Sequence, residues 1–203
     1  MWDQRYSEAG FAYGSEPNDF LKAEYSRIPK GGRVLCLAEG EGRNAIFFFK
    51  QGYEVTAVDQ SSVGLEKAQT LALENGVEIA TIVADLADYD LGSDCWDGIV
   101  SIAAHVPPHL RVKLHSQVSD SLKHSGIFIL EAYTERQLRT TGVGGPPPHS
   151  KELFMSLVEL KTELKALDFV IGREIVRGIF EGKHHQGESA VVQVVGYKGE
   201  VNV

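Results

Sequence analysis

The chain predicts a doubly wound α/β fold, with helices covering both faces of a mostly parallel sheet, and three features point there. Val34-Leu35-Cys36-Leu37-Ala38 is a short apolar run of the kind buried on both faces of such a sheet. It breaks into Glu39-Gly40-Glu41-Gly42 and resumes with the helical composition of Arg43 to Lys50, so a helix N-terminus opens onto a tight glycine loop. Two further strand-like runs, 54–58 and 79–84, are each followed by an acid, Asp59 and Asp85, at the edge where a parallel sheet meets its ligand.

At 203 residues the chain suits one domain, 1–203, with a full core. Hydrophobic content of 43% and charged content of 24% are those of an ordinary globular protein. A formal net charge of −8 argues against a nucleic-acid partner, because phosphate binding needs a basic surface. Small molecules or proteins are the likelier substrates, with a small-molecule acceptor and a monomer or weak homodimer expected. Met1 to Arg5 lacks a signal-peptide core and the run Ala45 to Phe49 is too short to span a bilayer, so no membrane role and a cytoplasmic location are expected. Cys36 and Cys95 have no metal spacing and read as buried small residues.

Taken in order, Trp2 to Tyr25 is rich in aromatics without strand alternation, and 1–30 reads as a covering segment or a helix packed on the sheet edge. Asp19 opens a helix after Pro17-Asn18. The helix of Ala45 to Phe49 stops at Gly52, and Glu54 to Val58 is the second strand. Leu65, Ala68, Leu71 and Ala72 share the face of the next helix, with Ser61 and Ser62 available as caps. Trp96 to Ala104 is a buried fourth strand delivering His105 to the ligand edge. Pro108 starts a helix carrying Leu110, Leu114, Val118 and Leu122; His109, His115 and His124 beside it are expected to be mostly solvated. A fifth strand, 126–133, leads into a polar loop, 134–150, where Arg136 and Arg139 would lie near a substrate. From Lys151 a helix carries a stripe of Leu153, Leu157, Leu160, Leu164 and Leu167. Strands 170–180 and 188–197 close the chain as a hairpin with a wide turn.

Gly40-x-Gly42-x-x-Ala45 also satisfies a dinucleotide fingerprint, and Asp59 lies near the spacing of its ribose-binding acid. Charge separates the candidates. A pyrophosphate wants bare N–H groups at a helix N-terminus, and Glu39 and Glu41 flank Gly40 there. A ligand with a ribose, a cationic centre and an ammonium group fits better, and S-adenosylmethionine (SAM) has all three. Asp59 is then the ribose acceptor, with a helix cap as its plainer reading. Asp85 can accept from an adenine amino group while the Leu86 N–H donates to a ring nitrogen, with a turn residue as the alternative.

Strand by strand the chain resembles the class I SAM-dependent methyltransferases. That resemblance implies a seven-stranded Rossmann-like sheet of order 3-2-1-4-5-7-6, last strand antiparallel, in three α/β/α layers. Tyr13-Gly14, Asp19, the loop from Ala38 to Ala45 and the His185-Gln186-Gly187 turn are similar to the bacterial tellurite-resistance and thiopurine methyltransferases. Many of the class carry an acid where Cys36 stands and a glycine where Ala38 stands; Glu39 would substitute for that acid. The resemblance places cofactor contacts at Tyr13, Ala38, Glu39, Gly40, Gly42, Asn44, Asp59, Gln60, Asp85, Leu86 and Ser101, and implies no metal.

Methyl transfer from a sulfonium is an in-line displacement that chiefly needs alignment. A thiol, or an oxyanion such as tellurite or selenite, needs no general base; for an alcohol or amine, His105, His184 and His185 are the candidate catalytic residues. Two other functions stay open, a non-catalytic SAM-binding sensor or scaffold and an NAD-dependent oxidoreductase.

Overall fold

Alternation along β1 (Arg33–Leu37) shows why its apolar run is unbroken: Val34 and Cys36 enter one core, Leu35 and Leu37 the other. A strand covered on both faces has no polar side to spare. The structure, a computed structural model, describes residues 1–199. Its sheet contains β2 (Glu54–Asp59), β3 (Ala80–Val83), β4 (Trp96–Ile102), β5 (Leu122–Tyr133), β6 (Asp168–Glu181) and β7 (His185–Tyr197) beside β1. The order is β3-β2-β1-β4-β5-β7-β6, with β7 antiparallel to both neighbours and the other pairings parallel. This is the sheet anticipated above.

The helices divide by face. α2 (Asp19–Glu24), α3 (Arg43–Lys50) and α4 (Ser62–Glu74) supply Phe20, Leu21, Ile46, Phe48, Leu65 and Ala68 to the first core. α5 (Pro108–Ser121) and α6 (Leu157–Glu163) supply Leu114, Val118 and Leu160 to the second, joined by Leu164 just past α6. A short N-terminal helix, α1 (Trp2–Tyr6), packs on α4. No helix among the described residues is long and apolar enough to cross a membrane.

Several local expectations are corrected. The closing turn is narrow: the β6–β7 ladder runs on to Glu181 opposite His185, leaving Gly182-Lys183-His184 with Gly182 in the left-handed region at φ 64. The leucine stripe after Lys151 is two pieces, a 3₁₀ turn over Lys151–Leu153 and then α6, which starts at a capping box of Ser156 and Glu159. β5 begins four residues early, at Leu122, which pairs with Trp96 across a register shift. The loop 134–150 is tied down: Gln137 is buried, accepts from Ala190 N at 2.8 Å and donates to Gly142 O, and Val143 bridges Gln186. His115 is buried rather than solvated, with Nδ1 2.7 Å from Glu163, which also holds Arg111. Both cysteines are free, Cys36 buried and Cys95 half-buried.

Candidate active site

The strand order reverses between β1 and β4, the place where open α/β sheets hold a ligand crevice. Just past those strands Ala38 and Ala103 both adopt left-handed backbone, φ 49 and φ 53. Such a conformation costs a residue with a Cβ about 1–3 kcal/mol, and strain of this kind gathers at ligand sites.

Glu39 folds back onto the start of α3, where Oε1 accepts from Asn44 N and Ala45 N, both at 2.8 Å. Burial pushes its pKa up to about 7, against the lowering effect of those N–H bonds and of Arg43. The helix N-terminus therefore already holds a side-chain oxygen where a pyrophosphate would bind. Asp59 is buried at the end of β2, where Oδ2 accepts from Gly40 N at 2.9 Å and Oδ1 from Ser61 N at 2.8 Å. Burial raises its pKa, with the same N–H bonds opposing. Ser61 Oγ caps α4 by accepting from Gly64 N, which leaves Asp59 free of that task. Asp85 is exposed beyond the edge strand β3 and accepts from Ala87 N, while no partner for the Leu86 N–H occurs among the described residues. Ser101 is buried near the end of β4 and Gln60 is exposed.

Two glycines and one amide have structural work. A Cβ on Gly42 would lie 2.6 Å from that of Ala68, so this glycine admits α4. A Cβ on Gly40 would lie 2.5 Å from Tyr6 Oη, so an aromatic of α1 rests on the loop. Asn44 Oδ1 accepts from Asn18 N at 3.0 Å.

The whole N-terminal segment is fastened over this loop. Ala12 N donates to Glu41 Oε2 at 2.7 Å, and Lys67 Nζ reaches Glu41 and the carbonyls of Glu8 and Gly10. Asp3 accepts from Ser61 Oγ, and Lys183 N in the closing turn donates to Ala12 O at 2.9 Å. Tyr13 follows, its Oη accepting from Arg5 and its ring centred 4.5 Å from that of His185.

His105, Tyr133 and His185 gather beyond the segment. The His105 ring is 5.9 Å from Tyr133, which is 5.2 Å from His185. His105 Nδ1 stands 2.9 Å from Leu153 O, which can only accept, so the proton sits on Nδ1. Nε2 then accepts from Tyr133 N at 3.2 Å. Burial holds this imidazole neutral, with a pKa near about 4. His184 Nε2 and Tyr133 Oη are buried and have no hydrogen-bond partner among the described residues; Ser189, beside Tyr133, donates instead to Gly187 O. Arg136 and Arg139 are exposed. A cavity of about 10 Å³, room for at most one water, lies among Asn18, Glu131, Tyr133, Glu181 and His185.

Sequence reading missed the polar network beneath that cavity. Asn18 Nδ2 donates to Glu131 Oε1 at 2.8 Å and Glu181 Oε1 at 2.9 Å. Arg177 and Gln193 satisfy the rest of Glu131, and Arg43 pairs with Glu181. Alternation along β6 and β7 offered the one signal, since acids or arginines on an inward face must be paired.

The donor set suits a nucleoside with a cationic centre. Asp59 keeps a lone pair on each oxygen, and Glu39 fills the place a second phosphate group would need. The sheet and its flanking helices have the fold of a solved SAM-dependent methyltransferase. Residues 34–126 match the family described as a methyltransferase domain. The chain is 31% identical over 101 residues to the uncharacterized methyltransferase YbaJ of Bacillus subtilis, covering 49% of this chain and 40% of that one. It is 27% identical over 130 residues to the carboxy-S-adenosyl-L-methionine synthase of Nautilia profundicola, covering 60% and 53%. The chain thus spans about half the length of the curated relatives it matches. A SAM-dependent methyltransferase from Methanosarcina mazei superposes with a TM-score of 0.69 at 17% identity, covering 87% of this chain and 97% of that one.

Proposed function

We propose that the chain transfers a methyl group from SAM to a small-molecule acceptor. The observation that carries this reading is Asp59, buried under Gly40 with lone pairs to spare, next to a helix N-terminus already filled by Glu39. In this reading Asp59 holds the ribose hydroxyls, Asp85 and Leu86 N–H the adenine edge, and Gly40 the methionine side. Bound SAM supplies an activated methyl. The chain's own residues align the acceptor and exclude water, the N-terminal segment serving as the cover.

Resemblance to the tellurite-resistance and thiopurine group makes tellurite, selenite and small thiols the first acceptors to try. For an acceptor that must lose a proton, His185 is the better base, since the His105 lone pair is spent on Tyr133 N–H and the His185 ring nitrogens carry no hydrogen bond among the described residues. The net charge of −8 supports a small acceptor over a nucleic acid. Thermal shift with SAM, S-adenosylhomocysteine and NAD tests the cofactor, because a ligand of the folded state alone must raise the melting temperature. Stabilisation by the first two and none by NAD is expected, and the reverse overturns the reading. Release of S-adenosylhomocysteine across the acceptor set then decides between an enzyme and a SAM-binding scaffold.

A further inference from the structure

Arg43 and Glu181 join the two sides of the crevice. Arg43 is the first residue of α3, directly after the glycine loop, and Glu181 ends β6 in the hairpin that carries His185. Arg43 Nη2 meets Glu181 Oε2 at 2.8 Å, and both side chains are only 8% exposed. Buried ion pairs are poor sources of stability, since desolvating two charges costs about what their attraction returns. Here the carboxylate has a further neighbour: His185 Nδ1 stands 3.7 Å from the same Oε2, too long for a hydrogen bond but close enough for the charge to act. Arg43 and His185 therefore share one oxygen, while Asn18 holds the other.

The geometry points to Arg43 and Glu181 as positioning residues that set the placement and proton affinity of His185 beside the acceptor. This rests on the reading that His185 faces the acceptor. For an acceptor bearing an X–H group, His185 takes the proton that leaves X as the X–C bond forms and passes it to water. The electron pair of the broken S–C bond stays on sulfur, which becomes a neutral thioether.

The charged and titratable groups around His185 come from several elements. Glu181 and Arg177 belong to β6, Glu131 and Tyr133 to β5, and Arg43 to α3; Tyr13 lies in the N-terminal segment, His105 after β4, and His184 next in chain. Glu131 is already met by two bonds from Arg177 and one each from Gln193 and Asn18, which leaves Glu181 and Arg43 as the opposed pair. Burial has the largest effect and lowers the proton affinity of His185; on top of it the carboxylate favours the protonated ring and the guanidinium disfavours it.

The test is an NMR titration of the His185 ring in the free full-length protein, which needs neither cofactor nor acceptor. Glu181→Gln is expected to lower its midpoint and Arg43→Met to raise it, each by about one pH unit. Arg43→Lys, which keeps the charge, is expected to stay near wild type. Shifts in the same direction, or none, overturn the proposal, because a merely structural pair has no reason to move His185 in opposite senses. If Glu181→Gln fails to fold, the contrast between Arg43→Met and Arg43→Lys decides. S-adenosylhomocysteine binding by the wild type is read separately, so a failure of the methyltransferase reading is distinguishable from a failure of this one.

Discussion

Asp59 holds Gly40 and Ser61 with one lone pair per oxygen and keeps the other pair for a ligand. Hydrogen bonds to a charged group are worth about 1.5–3 kcal/mol, so Asp59→Ala should weaken SAM by roughly that amount in calorimetry. Unchanged affinity would reduce Asp59 to a fastener of the glycine loop. His105 makes the converse point, a residue whose chemistry is already consumed. With Nδ1 donating to Leu153 O and Nε2 accepting from Tyr133 N, its ring should stay neutral through pH 5 and titrate near about 4. A nitrogen-15 titration with a midpoint at the ordinary 6.5 would refute that. Neither role is visible in the identity of the residue.

Among the elements, α1 lies where its motion should be readable. Tyr6 rests on Gly40, so a donor bound against the loop is expected to alter the packing of α1, and Trp2 rides on the same short helix, its ring stacked 5.9 Å from Tyr6. The chain has two tryptophans, so Trp96→Phe leaves Trp2 as the reporter. S-adenosylhomocysteine is expected to shift its emission; titration to saturation with a static spectrum would show that the segment does not respond. The α5–α6 contact is a matter of stability instead. Arg111 is buried against Glu163, whereas Glu159 touches it from a half-exposed position at 3.6 Å. Glu163→Ala strands a buried guanidinium and should cost about 3–5 kcal/mol in urea unfolding, while Glu159→Gln, which removes the charge and keeps the capping box, should cost less than about 1 kcal/mol. Equal losses would mean that burial does not govern this cluster.

For the whole molecule, acid should act in two stages. Burial lowers the folded pKa of His105 from 6.5 to about 4, so its contribution is full above 6.5 and is lost as pH falls through 4. Glu181 is held at about 2 against an ordinary 4.5: burial opposes ionisation, but His185 and Arg43 outweigh it. Its contribution is full above 4.5 and is lost as pH falls through 2. Glu39 works the other way, its contribution being full below 4.5 and lost as pH rises through about 7. Comparison with a variant removes that background: the stability advantage of wild type over His105→Gln should shrink between pH 6.5 and 4. A constant difference across that window would contradict a buried ring held neutral.

The strand order was implied by a resemblance; what the sequence by itself determined was the central strands and the edge at which Asp59, Asp85, His105 and Tyr133 emerge. Those properties are local, written in two-residue alternation, glycine punctuation and the residue after each strand. The occupancy of each group was decided by tertiary structure. Glu39 and Glu41 looked alike beside Gly40, yet one caps α3 and the other fastens the N-terminal segment. The wide turn expected over residues 181–187 closed up because the β6–β7 ladder continued to Glu181 and His185, and that register put His185 beside the carboxylate that Arg43 shares. Tyr6 meets Gly40, Asn18 meets Glu131, and His105 meets Leu153 across chain separations that no periodicity encodes. A buried polar group must find some partner, which composition can anticipate; which partner it finds is set by where the folded chain brings the two together.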